Sequence, residues 1–233
     1  MSRKPLKKSD LDKPWVRNNR ARRVREERRY ILIASEDEKS SVYYFDEFSK
    51  RIAGNAARVC VLPKGIGMST LSLVDHVHEN VGKWLKELNN DYDVDKFDDV
   101  WILFDKDDFR DDDFDNAIKK AESYGYHTAW SNECFELWYL LHLKYQTTGI
   151  ARRDIFEQMK PLYSGDYDYE KTLKGRAGEE FHREMAHHEK QSTAIKRARR
   201  LLEQYDSDAA PHTRNPCTMV HSLVEFLLKY VTD

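Results

Sequence analysis

Tyr30-Ile-Leu-Ile-Ala34 running into Ser35-Glu-Asp-Glu38, and Asp99-Val-Trp-Ile-Leu-Phe104 running into Asp105-Lys-Asp-Asp108, decide how this chain folds. Each is a short apolar run that stops abruptly at a cluster of carboxylates. Runs of this length without polar alternation mark strands buried on both faces of a sheet. Between them lie Val42, Phe45, Phe48 and Ile52 at helical spacing up to Gly54, then a second strand at Ala57-Arg-Val-Cys-Val-Leu62 and a helical pattern over 69–88. After them come a helix carrying Phe114, Ile118 and Ala121, a fourth strand at Tyr126-His-Thr-Ala-Trp130, and an apolar helix over 135–143. The order β-α-β-α-β-α-β-α predicts an α/β fold, a parallel sheet of about four strands flanked by helices. Functional groups in such sheets gather at the carboxyl ends of the strands, where the first and third strands here both end in acids.

Working outward, the strand pattern stops past residue 147. Residues 149–162, 190–204 and 220–230 read as helices and 164–169 as a loop. The expected organisation is an α/β domain over 30–145 and a mainly helical C-terminal subdomain over 146–233. The first 29 residues hold twelve Lys or Arg against four acids, so the formal net charge of −2 hides an acidic body. Residues 1–29 carry too little apolar surface to offset their ordering entropy and are expected to form a flexible basic arm. A basic arm on an acidic body fits a nucleic-acid partner, DNA or RNA, better than a membrane. No apolar run is long enough to cross a bilayer, and the N-terminus lacks the apolar stretch of a signal peptide. Cys60, Cys134 and Cys217 have the spacing of neither a disulfide frame nor a zinc site, so reduced thiols in the cytoplasm are expected. An oligomer is compatible with all of this.

Glu36, Asp105 and Asp107 form the leading candidate site, each just past the end of a predicted parallel strand. Two readings of these acids compete. In one they simply solvate loops. In the other they hold a hard divalent cation, because magnesium takes carboxylate oxygens alongside water and phosphate oxygens, and like charges so clustered are costly without a cation. An Asp-x-Asp pair would then serve one ion, with Glu36 as a further ligand or general base, and with Asp37, Glu38 and Asp108 as additional acids in reach. Such a site neutralises phosphodiester charge and activates water. Mg2+ is the expected cofactor, with Mn2+ able to substitute.

Four longer motifs carry a resemblance. Ile31-Leu-Ile-Ala-Ser-Glu-Asp-Glu-Lys39 with Tyr44-Phe45 resembles the opening xxEGEKTExxYF of RloB-like proteins, and Val100-Trp-Ile-Leu-Phe-Asp-Lys-Asp-Asp108 resembles their VWxxFDxDD. Ser131-Asn-Glu-Cys-Phe-Glu-Leu-Trp138 with Leu141-His142 resembles SNPCFELWxxLHF, and Asn215-Pro-Cys-Thr218 with His221 and Leu223 resembles NPxTxVHxLV. They occur in order and span nearly the whole chain after the arm. The resemblance implies a Toprim-type fold in which Glu36, Asp105 and Asp107 bind magnesium. It also implies nuclease activity in bacterial defence loci near restriction-modification and abortive-infection systems, with a defence-system partner protein in prospect. The chain departs from the pattern at Asp37, where the motif has glycine, and at Glu133, where it has proline.

Other residues are weighed beside these. Lys39, Ser131, Asn132 and Glu136 are expected to contact substrate, Glu136 being read equally well as a surface acid that complements a helix dipole. Lys64, in Pro63-Lys-Gly-Ile-Gly67, either meets a phosphate or caps a tight turn; the segment lacks the full Walker pattern. His182, His187 and His188 read as mobile surface histidines rather than a metal site. Lys190, Lys196, Arg197, Arg199 and Arg200 make one helix basic, either as a solvated face or as a phosphate-backbone surface. Asn215 and His221 read as packing or capping residues.

The leading functional expectation is a metal-dependent nuclease cleaving phosphodiesters of DNA or RNA, tRNA included, with catalysis by Glu36, Asp105 and Asp107. The alternative is a non-catalytic nucleic-acid or partner-binding regulatory module. A small-molecule phosphatase or nucleotidyl transferase is a third class, for which the basic arm would be superfluous.

Overall fold

The computed structural model describes residues 28–54, 56–63, 69–88, 96–163 and 168–231. Nearly all of the basic arm, together with Lys64 and most of the 164–169 loop, lies outside the described residues. Strands β1 (Arg29–Ser35), β2 (Ala57–Pro63), β3 (Asp99–Leu103) and β4 (His127–Thr128) form one parallel sheet in the order β2-β1-β3-β4. Helices α1 (Ser40–Ser49), α2 (Thr70–Leu88) and α3 (Asp111–Ser123) make the crossovers. The α/β fold and the flanking of the sheet by helices follow the sequence reading.

The apolar runs work because every apolar residue of the central strands meets a packed layer. Ile31 and Ile33 of β1 and Trp101 and Leu103 of β3 join one core with Tyr44, Phe45 and Phe48 of α1. Leu32, Ala34, Val100 and Ile102 point the other way, into a core with Leu73, Val74 and Val77 of α2 and Phe114 and Ile118 of α3. Alternation along each strand thus distributes side chains between two buried faces. Helix α3 starts with Asp111, Asp112 and Asp113, whose charges suit the positive end of the helix dipole. It stops at Gly125, whose φ of +75° is open to glycine without strain. There Gly125 and Tyr126 donate N–H bonds of 2.9 Å each to the carbonyls of Glu122 and Ala121.

The fourth strand is shorter than expected because the chain changes partner. After β4, Ser131–Asn132 (β5) pairs antiparallel with Cys217–Thr218 (β6), so the SNxCFELW and NPxTxVH segments meet. Helix α4 (Glu136–Leu143) follows, its Leu137, Trp138, Tyr139 and Leu140 wholly buried.

The C-terminal helices α5 (Arg152–Met159), α6 (Glu179–Met185), α7 (Gln191–Leu202) and α8 (Val220–Leu228) pack against α1 and α4 in the same core as β1. There is no break in that core near residue 145. Gln191 pins it with four bonds, accepting from Tyr44 Oη (2.7 Å), lying 3.1 Å from His142 Nε2, and donating to the carbonyls of Met185 and His187 (2.8 Å each).

Two surface expectations change. His182 is fully buried, its Nδ1 2.8 Å from Tyr139 Oη, because it follows Phe181 onto the inner face of α6. His187 and His188 are half-buried and stack on each other. On the basic helix, Arg197 donates to the carbonyls of Leu141 and His142 at the end of α4, Arg199 pairs with Glu225, and Arg200 lies over the Tyr145 ring. Much of that charge therefore closes the fold.

Candidate functional site

A chain that goes from β1 to β2 and then crosses to the far side of β1 for β3 creates a topological switch point between β1 and β3. Glu36 and Asp105 leave the sheet at that crevice. The ladder continues one step past β1, with the Glu36 N–H donating to the Leu103 carbonyl at 2.9 Å, and the Asp105 N–H reaches Glu36 Oε2 at 3.4 Å. Asp105 also bridges to Ser131. The Lys106 and Asp107 N–H groups donate to the carbonyls of Ser131 (2.8 Å) and Glu133 (3.1 Å), so β5 fixes the loop. Asp107 takes a φ of +38°, a left-handed conformation uncommon for a residue with a side chain. Strain of this kind collects at functional sites.

Glu36, Asp105 and Asp107 line one open pocket of about 430 Å3, with Ser35, Asp37, Ser41, Ser69, Phe109, Phe135, Arg152 and Lys174 among its other walls. Burial pushes the Glu36 carboxyl up to about 7; the Asp105 N–H opposes that rise, and the charges of Asp107 and Asp37 add to it. Burial, with the charges of Asp107 and Glu136, holds Asp105 well above the usual carboxylate range. Burial brings Asp107 up to about 6 against the pull of Arg152. All three acids are thus short of positive charge. Arg152 supplies some of it, its Nη2 bonding Asp107 Oδ2 and lying 3.5 Å from Asp105 Oδ2.

The donor chemistry suits a hard cation: oxygens only, in a pocket open to water. Among the described residues, however, no three Asp, Glu, His or Cys side chains converge as metal ligands, and the Arg152 guanidinium occupies the Asp105–Asp107 pair instead.

The remaining expected residues fall in other places. Asp108 is exposed on the turn after Asp107 and does not line the pocket. Lys39 is exposed too, its backbone N–H donating to Asp37 Oδ1 at 3.0 Å. Asp37 Oδ2 accepts the Ser41 N–H at 3.1 Å, so the residue that replaces the motif glycine helps to start α1. Ser131 and Asn132 are buried: Ser131 Oγ lies 2.8 Å from Thr218 Oγ1, and Asn132 Nδ2 donates to the His212 carbonyl at 2.8 Å. Both join β5 to the C-terminal segment. Glu133, which replaces the motif proline, follows a cis peptide bond and accepts from Asn215 Nδ2 at 3.0 Å. Asn215 Oδ1 accepts the Ile150 N–H and His221 Nδ1 lies 2.9 Å from the Thr218 carbonyl, so both act in packing.

Glu136 is not the surface acid that its place at the start of α4 suggests, for it is fully buried. Its Oε1 accepts from Ser40 Oγ (2.6 Å) and Tyr169 Oη (3.3 Å) and sits 3.7 Å from Lys174 Nζ. Burial acts to raise this carboxyl, but Lys174 and the Ser40 hydroxyl outweigh it and leave it lowered. Arg152 and Lys174 were not singled out in the sequence. Neither belongs to a motif, and both reach the site from the irregular C-terminal half.

A parallel α/β sheet with an acidic switch-point pocket, closed by C-terminal helices, defines the class of protein. The chain belongs to the RloB-like family: the model of the RloB-like protein family matches residues 31–227. No curated protein and no solved structure gave a match.

Proposed function

We propose that the chain is a metal-dependent nuclease that cleaves phosphodiesters of DNA or RNA, as the resemblance implies for a defence role. The observation that carries the reading is the gathering of Glu36, Asp105 and Asp107 at the switch point, all three pushed toward protonation by burial with too little positive charge. Asp105 and Asp107, with Glu36 beside them, would hold Mg2+ or Mn2+, which when bound neutralises charge on the phosphate and makes water a better nucleophile. Glu36, beside the Asp pair at the mouth of the crevice, is placed to accept a proton from an attacking water. Arg152 pairs with Asp105 and Asp107, and its side chain, 36% exposed, would have room to give way to a cation.

The test is cleavage of single-stranded DNA, duplex DNA and tRNA with manganese, comparing the wild type with Asp105→Ala/Asp107→Ala. Cleavage that disappears in the double variant supports the reading; equal cleavage by both proteins sinks the site assignment. A second reading, a non-catalytic nucleic-acid or partner-binding module, is favoured by one observation, the Arg152 guanidinium that already lies against Asp105 and Asp107. It predicts salt-dependent nucleic-acid binding that survives the double variant, with no cleavage by either protein.

A further inference from the structure

Among the described residues the pocket has two cations on its wall, and they are used differently. Arg152 is committed to Asp105 and Asp107. Among the described residues Lys174 has one ion pair, to Glu136 Oε1 at 3.7 Å, which is too long for a hydrogen bond. An ammonium carries three donors, so those of Lys174 remain available on the pocket side.

Its position is nevertheless well fixed. The Lys174 side chain is only 16% exposed, and its N–H donates to the Tyr169 carbonyl at 2.8 Å, closing the wide helical turn Tyr169–Leu173. Glu136 below it is bonded by Ser40 and Tyr169, and Tyr139 Oη donates to the Ser40 carbonyl at 3.2 Å. A buried carboxylate held by two hydroxyls is an expensive way to stabilise a fold. It is a suitable way to aim a cation at a fixed point in a pocket. Glu136 Oε2 finds no hydrogen-bond partner, which fits a carboxylate placed for its charge rather than for a complete network.

We propose that Lys174 is a phosphate-binding residue of this pocket, with Glu136 as its positioning residue, so that the ammonium grips a phosphodiester oxygen opposite the Asp105–Asp107 pair. The proposal rests on the nuclease reading for the identity of the substrate, but not on cleavage. A lysine suits this task as a compact charge with rotatable donors, where an arginine would stay paired to the carboxylates.

The experiment is fluorescence-anisotropy binding of a labelled single-stranded oligonucleotide to the full chain in calcium, over a range of salt, for the wild type, Lys174→Met, Glu136→Gln and the double variant. Loss of one phosphate contact is expected to weaken binding about tenfold and to reduce the slope of log affinity against log salt by about one. Glu136→Gln is expected to weaken binding about threefold, and Glu136→Gln/Lys174→Met to match Lys174→Met alone, because a positioning residue has nothing left to position. The double variant leaves no buried charge unpaired, so it keeps the test open if Lys174→Met does not fold. Wild-type affinity and slope in folded variants lacking Lys174 would overturn the proposal, as would a wild type that does not bind at all. If Lys174→Met lowers the slope while no nucleic acid is cut, the proposal stands and the nuclease reading falls. If cutting persists with an unchanged slope, the reverse holds.

Discussion

Replacing Glu36 by Gln should make the protein more stable at neutral and alkaline pH while removing its proposed proton acceptor. The carboxyl titrates at about 7 in the fold against an ordinary value of 4.5, burial being the main cause. At about 1.4 kcal/mol per pH unit, that displacement amounts to roughly 3 kcal/mol for ionising Glu36 inside the fold, and to about 2 after relaxation and screening in an open pocket. The sign follows from proton counting. Between pH 4.5 and 7 the folded protein holds a proton that the unfolded chain has lost, so stability falls as pH rises through this window. Below it both states are protonated and the contribution is fully present; above it the contribution is gone. Glu36→Gln mimics the protonated form at every pH. In EDTA at pH 8 its midpoint should exceed that of the wild type by about 4–8 °C, and the gap should close by about pH 4.5. Differential scanning calorimetry at several pH values is the assay. A variant that melts with or below the wild type at pH 8, or whose advantage persists unchanged into acid, would show that Glu36 is not a desolvated, under-compensated carboxylate.

Other expectations follow from the packing. Leu137→Ala empties a fully buried position between α4 and the sheet and should cost about 3 kcal/mol in urea unfolding. Gln191→Leu removes four bonds and leaves the Tyr44 hydroxyl and the Met185 carbonyl without this partner, so about 2–3 kcal/mol should be lost with the fold retained. Ending the chain after residue 214 strips Val220, Leu223, Val224 and Leu227 from the core shared with β1, and circular dichroism should show loss of the whole fold rather than of a detachable part.

The sheet was legible because its central strands β1 and β3 are buried on both faces past their first residues, and so are almost wholly apolar. That signal needs no partner to interpret it. The acids were legible for the same reason, standing where an apolar run breaks. The short turn Tyr169–Leu173 and helix α6 are not legible, because a few residues rich in Glu, Lys and Arg carry no clear period. Ser131, Asn132 and Glu136 were placed near the right edge, but their burial could not be seen. It depends on β6, α1 and Tyr169, elements distant in sequence that meet only in the fold. Arg152 and Lys174 were invisible in the same way, since nothing in a lone Arg or Lys tells that it faces carboxylates from another part of the chain.

Charge balance connects these pieces and yields one more expectation. Among the described residues, Glu36, Asp37, Asp105, Asp107 and Glu136 lie around two cations, Arg152 and Lys174. A phosphodiester brings further negative charge, so it can enter favourably only if a cation accompanies it or the acids lose their charge. On the proposed reading the wild type therefore binds an oligonucleotide more tightly in magnesium than in EDTA, by a larger factor than general screening of the backbone allows. Asp105→Asn/Asp107→Asn removes the pair's negative charge at nearly constant volume. It should raise the affinity in EDTA several-fold and abolish most of the gain from magnesium, while Arg152, freed from its pair, adds a second cation for the phosphate. Isothermal titration in the two buffers measures both effects. A double variant that binds no better than the wild type in EDTA and still gains fully from magnesium would mean that the ion acts elsewhere on the nucleic acid, and that the switch-point carboxylates do not control entry of the substrate.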